Sequence, residues 1–431
     1  MTRTIELKPL TRVEGHGIVR VYLDGNRVEN VELSLCESPR LFEALLVGKS
    51  YREVPEIICR ICSICSTVHR LTSLAAIEQA FGIEVSPATL LHRELILNGG
   101  QIASHALHLF CLVLPDLFGV AGFTELAEVA PDELKLGLRI KGAGNLIQET
   151  IGGRTIHPVT LIPGRMGKYA SPNALQLLHD TLAPLLPKAK EVCAIFAAVR
   201  PLSPPVAPLS PLALQGKNVP YLFGDILEMA GENSAAVADY RKLIREEYVS
   251  HSNAKTCTAA GKVVTVGAQA RLSFTPGLSP AASVELAAHR ERLASADIRG
   301  NNLAQAIELL HAIERSLDVI ALLASTPSAP EEPRDFVPHQ GTGTAAMEAP
   351  RGTLIHSYGF DSRGICTTAD VITPTAINQA AMERDLLALG RGMDGADEAE
   401  LMHQMEMLVR AYDPCISCAV HLVRQDERRG E

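Results

Sequence analysis

The chain has 431 residues, 47% of them hydrophobic, and a formal charge of −9 from 40 Lys and Arg against 49 Asp and Glu. That is enough apolar material for a large core and too much for a disordered chain, and by length alone it would fill two or three domains. With 8 Tyr, 10 Phe and no Trp in an acidic chain, neither a basic surface nor a stacking platform for nucleic acid is present.

The first predicted element is a β-hairpin. Residues 17–23 and 28–35 alternate apolar and polar around Asp24-Gly25-Asn26. After Pro39 the pattern turns helical, and Ala75–Gly82 continues a helix out of the first cysteine cluster. Ser86-Pro87-Ala88-Thr89 reads as an N-cap with proline in the first turn, opening a long helix towards Leu114. Helical periodicity recurs over 131–151, 171–199, 235–249, 280–296, 302–324 and 398–423. The Pro-rich stretches 201–220 and 325–343 read as connectors, and short alternating segments between Arg351 and Ile372 predict a second small sheet. The class is α+β, mostly α, with long central helices and small peripheral sheets. Gly341-Thr342-Gly343 fits the loose dinucleotide-loop pattern, but Pro350 falls inside the helix that should follow, so a nicotinamide site in this chain is not expected.

Ten cysteines are too few for a disulfide-stapled secreted scaffold. The opening MTRTIELKPL has no apolar signal core. The mean hydropathy of +0.12 is high, yet the most apolar window, Ala106–Phe123, is interrupted by Pro115 and Asp116 and carries His108. No membrane span is therefore expected. The excess hydrophobicity implies a large core or a face buried against a partner, and the thiols suit a reducing cytoplasm.

The chemistry sits at the two ends. Cys62-Ser-Ile-Cys65 and Cys415-Ile-Ser-Cys418 are CxxC pairs, each followed by a histidine, His69 and His421. If helical, each pair presents two sulfurs on one face. Four thiolates are soft donors that select zinc, iron–sulfur, copper(I) or nickel–iron chemistry. Spacing alone leaves three sites open. A zinc ribbon would place its pairs about 15–20 residues apart. An iron–sulfur cluster could use Cys59, Cys62 and Cys65, but its fourth cysteine is absent. The third possibility is a dinuclear catalytic site assembled from both ends.

The flanks decide. Arg60-Ile-Cys-Ser-Ile-Cys-Ser-Thr-Val-His69 and Asp413-Pro-Cys-Ile-Ser-Cys-Ala-Val-His421 resemble the two metal-binding motifs of nickel–iron hydrogenase large subunits. Arg12-Val-Glu-Gly-His16, His105–Asp116, Glu348-Ala-Pro-Arg-Gly352 and Ile372-Thr-Pro-Thr375 agree in order and position. The resemblance thus spans residues 12–421 and is most like the cytosolic multimeric NAD(P)-linked type. It implies that family's fold, with residues 1–431 as one interlocked catalytic domain because the two ends must meet.

The resemblance also implies roles. Cys62, Cys65, Cys415 and Cys418 would hold nickel, with Cys65 and Cys418 bridging to an iron that carries carbon monoxide and cyanide. Dihydrogen would be split heterolytically, its proton leaving to the Cys415 thiolate and then through Glu14. Arg351 would polarise a bound ligand, with Asp116 and Asp413 as its carboxylate neighbours. Thr375 would hydrogen-bond a cyanide and His69 a bridging sulfur. A magnesium ion would take Glu43, the Val371 carbonyl and His421. His105 and His108 match no metal role and are expected to hydrogen-bond in the core. The other six cysteines, including Cys36 and Cys59, read as ordinary buried thiols. The implied partners are an iron–sulfur small subunit, flavin/NAD(P) reductase and ferredoxin-like subunits, and a maturation endopeptidase that removes 422–431. Relatives linked to deazaflavin or heterodisulfide reductase are an alternative for the electron acceptor. Remoter alternatives are a metal-free, complex I-like quinone-site subunit, against which the four cysteines discriminate, and a structural zinc-binding protein, which metal analysis would separate.

Overall fold

The computed structural model describes residues 2–36, 41–199, 204–217, 219–231, 233–274, 277–325 and 336–419. The predicted hairpin forms as β2 (Gly17–Asp24) and β3 (Arg27–Leu35), and β1 (Thr2–Leu7) joins β2 antiparallel. One face of this sheet, with Val19, Val21 and Leu33, is fully buried. It packs with residues of the C-terminal helices Pro374–Gly392 and Glu398–Ala411, including Leu386, Leu389 and Met405, so the two ends of the chain share a core.

Long helices form the centre. Ser66–Phe81 ends at Gly82, whose φ of 61° supplies the left-handed cap. The Thr89 amide donates to Ser86 Oγ, capping Pro87–Leu107 as the sequence predicts. That helix continues through a π-helical turn, His108–Val113, into Leu114–Leu117. The whole run is long and apolar enough to cross a membrane by length and composition alone, but most of it is buried inside the protein. Pro131–Gly152 lies beside it, at a spacing so close that a Cβ on Gly144 would sit 2.6 Å from the Gly99 carbonyl oxygen. The 25-residue helix Asn301–Ser325 completes the centre.

The second predicted sheet is Gly341–Ala349, Gly352–Phe360 and Cys366–Ile372, antiparallel throughout. The strand Gly341–Ala349 explains the glycine-rich decoy. A Cβ on Gly343 would lie 2.0 Å from the Ala76 carbonyl oxygen, so these glycines let the strand press on the Ser66–Phe81 helix.

Four elements differ from their sequence reading. Residues 235–249 are not helical: Val237–Lys242 is a 3-10 turn, and Ile244–Tyr248 pairs with Lys255–Ala259. Strand pairing overrides a short, ambiguous apolar period there. The last long helix stops at Ala411 rather than running through the cysteines, because Asp413 takes φ 49° and Pro414 follows. The Pro-rich connector contains a strand, Leu212–Gln215. Pro374–Gly392 was not predicted, and it is buried on nearly every face, which erases the amphipathic signal.

Candidate metal centre

The first CxxC pair is not helical. Cys62 is extended (φ −150°, ψ 141°), following a 3-10 turn over Cys59–Ile61, and Cys65 is the N-cap of Ser66–Phe81. The Cys65 amide donates to Cys62 Sγ at 3.4 Å. A turn against a helix N-terminus, not a helical face, turns the two sulfurs together, and that terminus favours thiolate.

The second pair is held by residues from the beginning of the chain. Glu14 and Cys415 form a parallel β-bridge, the Ile416 amide donates to the Glu14 carbonyl at 3.0 Å, and the Ser417 amide donates to Glu14 Oε2 at 3.1 Å. Gly15 (φ 88°) permits this approach, since its Cβ would meet Ile416 Cβ at 2.7 Å. The Cys415 amide donates to Thr375 Oγ1 at 2.9 Å.

All four sulfurs then lie within 4.8 Å of one another. Cys415 Sγ is 3.2 Å from Cys62, 3.1 Å from Cys418 and 3.9 Å from Cys65. Burial and the neighbouring sulfurs push Cys415 and Cys418 up. Hydrogen bonds from those two thiols pull Cys62 and Cys65 down. The cluster thus holds protons that a soft cation would displace, and its donor set fits a nickel–iron centre.

Around the sulfurs, Arg351 Nη1 donates to Cys65 Sγ at 3.4 Å, its Nε donates to Asp413 Oδ1 at 3.1 Å, and its Nη2 forms an ion pair with the same oxygen at 3.1 Å. Burial opposes the guanidinium charge, but Asp413 and the sulfurs more than offset it and hold its pKa well above the ordinary value. His69 Nε2 lies 3.5 Å from Cys418 Sγ, and burial lowers its pKa to about 4. A cavity of about 10 Å³, the space of one water molecule, is lined by Cys65, His69, Arg351, Thr375, Cys415 and Cys418.

One expected neighbour is elsewhere. Asp116 does not serve Arg351: its Oδ2 and Oδ1 accept from Arg410 at 2.8 and 3.0 Å, and Arg12 binds it as well. The carboxylate on Arg351 is Asp413, which also accepts from Gln305 Nε2 at 3.1 Å. His105 and His108 are core hydrogen-bonders, His105 to Glu308 at 2.9 Å and His108 to Gln305 and to the Arg410 carbonyl. Cys36 is exposed rather than buried and Cys111 only partly buried, while Cys59, Cys193, Cys257 and Cys366 are buried as expected. Arg410, Gln305, His356 and Lys255 carry contacts that no local motif signals, because each acts across more than a hundred residues.

The second metal expectation falls on a different face. Glu43, on the short helix Phe42–Leu46, accepts the Val371 amide at 2.9 Å and faces the Lys255 ammonium at 3.7 Å. Burial pushes its carboxyl up despite Lys255. Glu246, 3.3 Å from the same ammonium, adds another carboxylate. An under-compensated carboxylate in an oxygen-rich setting suits a hard cation. The third expected ligand, His421, and the 422–431 extension lie outside the described residues.

Comparison with known proteins gives one answer. A family model described as nickel-dependent hydrogenase matches residues 40–134 and 250–421, and one described as HoxL-like matches residues 4–37. Sulfhydrogenase 2 subunit alpha of Pyrococcus furiosus is 37% identical over 97% of this chain and 99% of its own length. NAD-reducing hydrogenase HoxS subunit beta of Cupriavidus necator is 28% identical over 99% of this chain and 96% of its own. Among solved structures, an NAD+-reducing [NiFe]-hydrogenase in the H2-reduced state superposes with a TM-score of 0.86 at 27% identity, covering 97% of this chain and 99% of that one.

Proposed function

The chain belongs to the nickel-dependent hydrogenase family as its catalytic large subunit, and from that premise we propose how its residues divide the work of splitting dihydrogen. The observation that carries the reading is the convergence of four buried sulfurs from opposite ends of the chain within 4.8 Å. Cys62, Cys65, Cys415 and Cys418 would hold the nickel–iron centre, whose iron would carry carbon monoxide and cyanide, with Cys65 and Cys418 as the sulfurs shared with that iron. When bound, that centre supplies the open site at which dihydrogen is polarised and the route by which electrons leave.

The protein's own part is to place charge and move a proton. Arg351, fixed by Asp413, directs a permanent positive charge at the cluster without acting as a base. Cys415 takes the proton and Glu14 relays it. Glu14 is suited to this because it is half-buried, its backbone bridges to Cys415 and its carboxylate accepts the Ser417 amide. Thr375 Oγ1 accepts the Cys415 amide, which leaves its own proton to donate into the cavity towards a cyanide. Asp116 acts away from Arg351, holding Arg410 and Arg12. Glu43, the Val371 carbonyl and His421 would hold a magnesium ion.

Residues 1–431 fold as one interlocked unit, from which an endopeptidase removes 422–431. Electrons pass to an iron–sulfur small subunit and on through ferredoxin-like and flavin subunits to NAD(P) in the cytoplasm. The likeness to the NAD-reducing relatives supports this acceptor. The test is metal analysis and infrared spectroscopy of the complex purified with its partners. Nickel, with iron in excess of it from the clusters of the partner subunits, carbon monoxide and cyanide bands, and hydrogen-dependent NAD(P) reduction are expected. Zinc without those bands would overturn the reading.

A further inference from the structure

His69 touches Cys418 with one nitrogen, and its other nitrogen is engaged as well. His69 Nδ1 lies 3.1 Å from His356 Nε2, and His356 Nδ1 lies 2.7 Å from the Tyr358 hydroxyl. His69, His356 and Tyr358 are each 1% exposed or less. His356 and Tyr358 are two apart on the strand Gly352–Phe360 and therefore share a face, across which the Ser66–Phe81 helix presents His69. Gly341 and Gly343 on the adjacent strand let this sheet come close to the helix, since a Cβ on either would lie 2.4 or 2.0 Å from the Ala80 or Ala76 carbonyl oxygen.

With both imidazoles neutral, a row of two imidazoles and a hydroxyl has only two polarities. In one, protons point away from the sulfur, and Cys418 must itself donate an S–H to His69. In the other, Tyr358 O–H donates to His356 Nδ1, His356 Nε2–H to His69 Nδ1, and His69 Nε2–H to Cys418. A metal-bound thiolate has no proton to give, and an Nε2 lone pair facing it would be repelled. Only the second polarity is then compatible with the loaded site.

We propose that His356, oriented by Tyr358, is a positioning residue that fixes the His69 tautomer and so makes a three-member donor chain ending on the Cys418 sulfur. The inference rests on the hydrogenase reading above. The chain draws electron density from a bridging sulfur, and its members polarise one another so that the effect exceeds that of His69 alone. It makes the state of the iron ligands depend on a hydroxyl three hydrogen bonds away.

The test uses the nickel-loaded complex and the infrared bands of its iron ligands. His356→Leu ends donation to His69 Nδ1, leaving the sulfur a stronger donor to iron. The carbon monoxide band should shift to lower wavenumber at unchanged nickel-to-iron ratio. Tyr358→Phe, which keeps the ring and its packing, should shift it the same way by less. His356→Gln, whose amide can still donate to His69, should bring the band back towards wild type, an order that follows donor ability and not side-chain size. Bands unmoved in Tyr358→Phe and His356→Leu would overturn the inference while leaving the hydrogenase reading intact. If His356→Leu fails to load metal, an unmoved band in Tyr358→Phe alone overturns it. A wild-type complex without such bands would overturn both.

Discussion

Arg271 and the four clustered cysteines are buried alike, each 5% exposed or less, yet they treat charge in opposite ways. Arg271 donates to both oxygens of Glu308 at 2.7 and 2.6 Å and to Glu348 at 2.9 Å. Tyr221 and His105 complete Glu308, while the Leu214 amide and the Thr353 hydroxyl complete Glu348. These partners hold the Glu308 carboxyl well below the usual carboxylate range against the opposing effect of burial. Among the described residues the sulfur cluster has Arg351 as the cation bonded to it, and burial holds protons on Cys415 and Cys418. The lesson is that the ionic cluster is finished by folding, whereas the sulfur cluster is finished only by metal.

Cys418→Ala tests the second half of that contrast most strongly. Nickel content should fall to about a tenth or less and hydrogen uptake by at least about 100-fold, while the metal-free protein loses only about 1 kcal/mol in a urea titration. Arg271→Leu should do the reverse. Two buried carboxylates lose their cation, which costs about 3–5 kcal/mol of the metal-free protein's stability, and a midpoint equal to wild type would break the comparison. His311, packed close to Glu308, sharpens it through pH. Its Nδ1 accepts the Ser279 amide at 2.9 Å, and burial lowers its pKa from 6.5 to about 4. Between those values the unfolded chain binds a proton that the folded chain refuses, so stability falls as pH drops from 6.5 towards 4, by about 3 kcal/mol in all. His311→Asn should flatten that slope in metal-free unfolding curves. The smallest effect is Tyr221→Phe, about 1.5 kcal/mol from one hydrogen bond to a charged group, with nickel loading unchanged.

The sulfur cluster was legible in the sequence because two short motifs carry it; the ionic cluster was not. Arg271, Glu308 and Glu348 come from separate segments with no spacing rule between them, and nothing local marks Arg271 as anything but an ordinary helical cation. The same limit explains Asp116. Its place in the order of motifs pairs it with Arg351, but side-chain reach pairs it with Arg410 and Arg12. Fold elements divide along similar lines. Ser86 announces a capped helix through local chemistry, whereas Pro374–Gly392 is wrapped by protein on most sides and shows no polar stripe. Residues 235–249 mislead because their partner strand, Lys255–Ala259, decides their conformation.

The meeting of Glu14 with Cys415 sets an order in time as well as in space. Cys65 and Cys415 are 350 residues apart, and at a synthesis rate of about 5–20 residues per second the second pair follows the first by roughly 20–70 seconds. Throughout that interval the β-bridge to Glu14 cannot form, and Cys62 and Cys65 wait without their partner thiols. The earliest-made part of the site is therefore the part longest open to oxidation or to a stray metal ion. The cost of joining the two ends of one chain is borne by the nascent polypeptide, before the enzyme has turned over once.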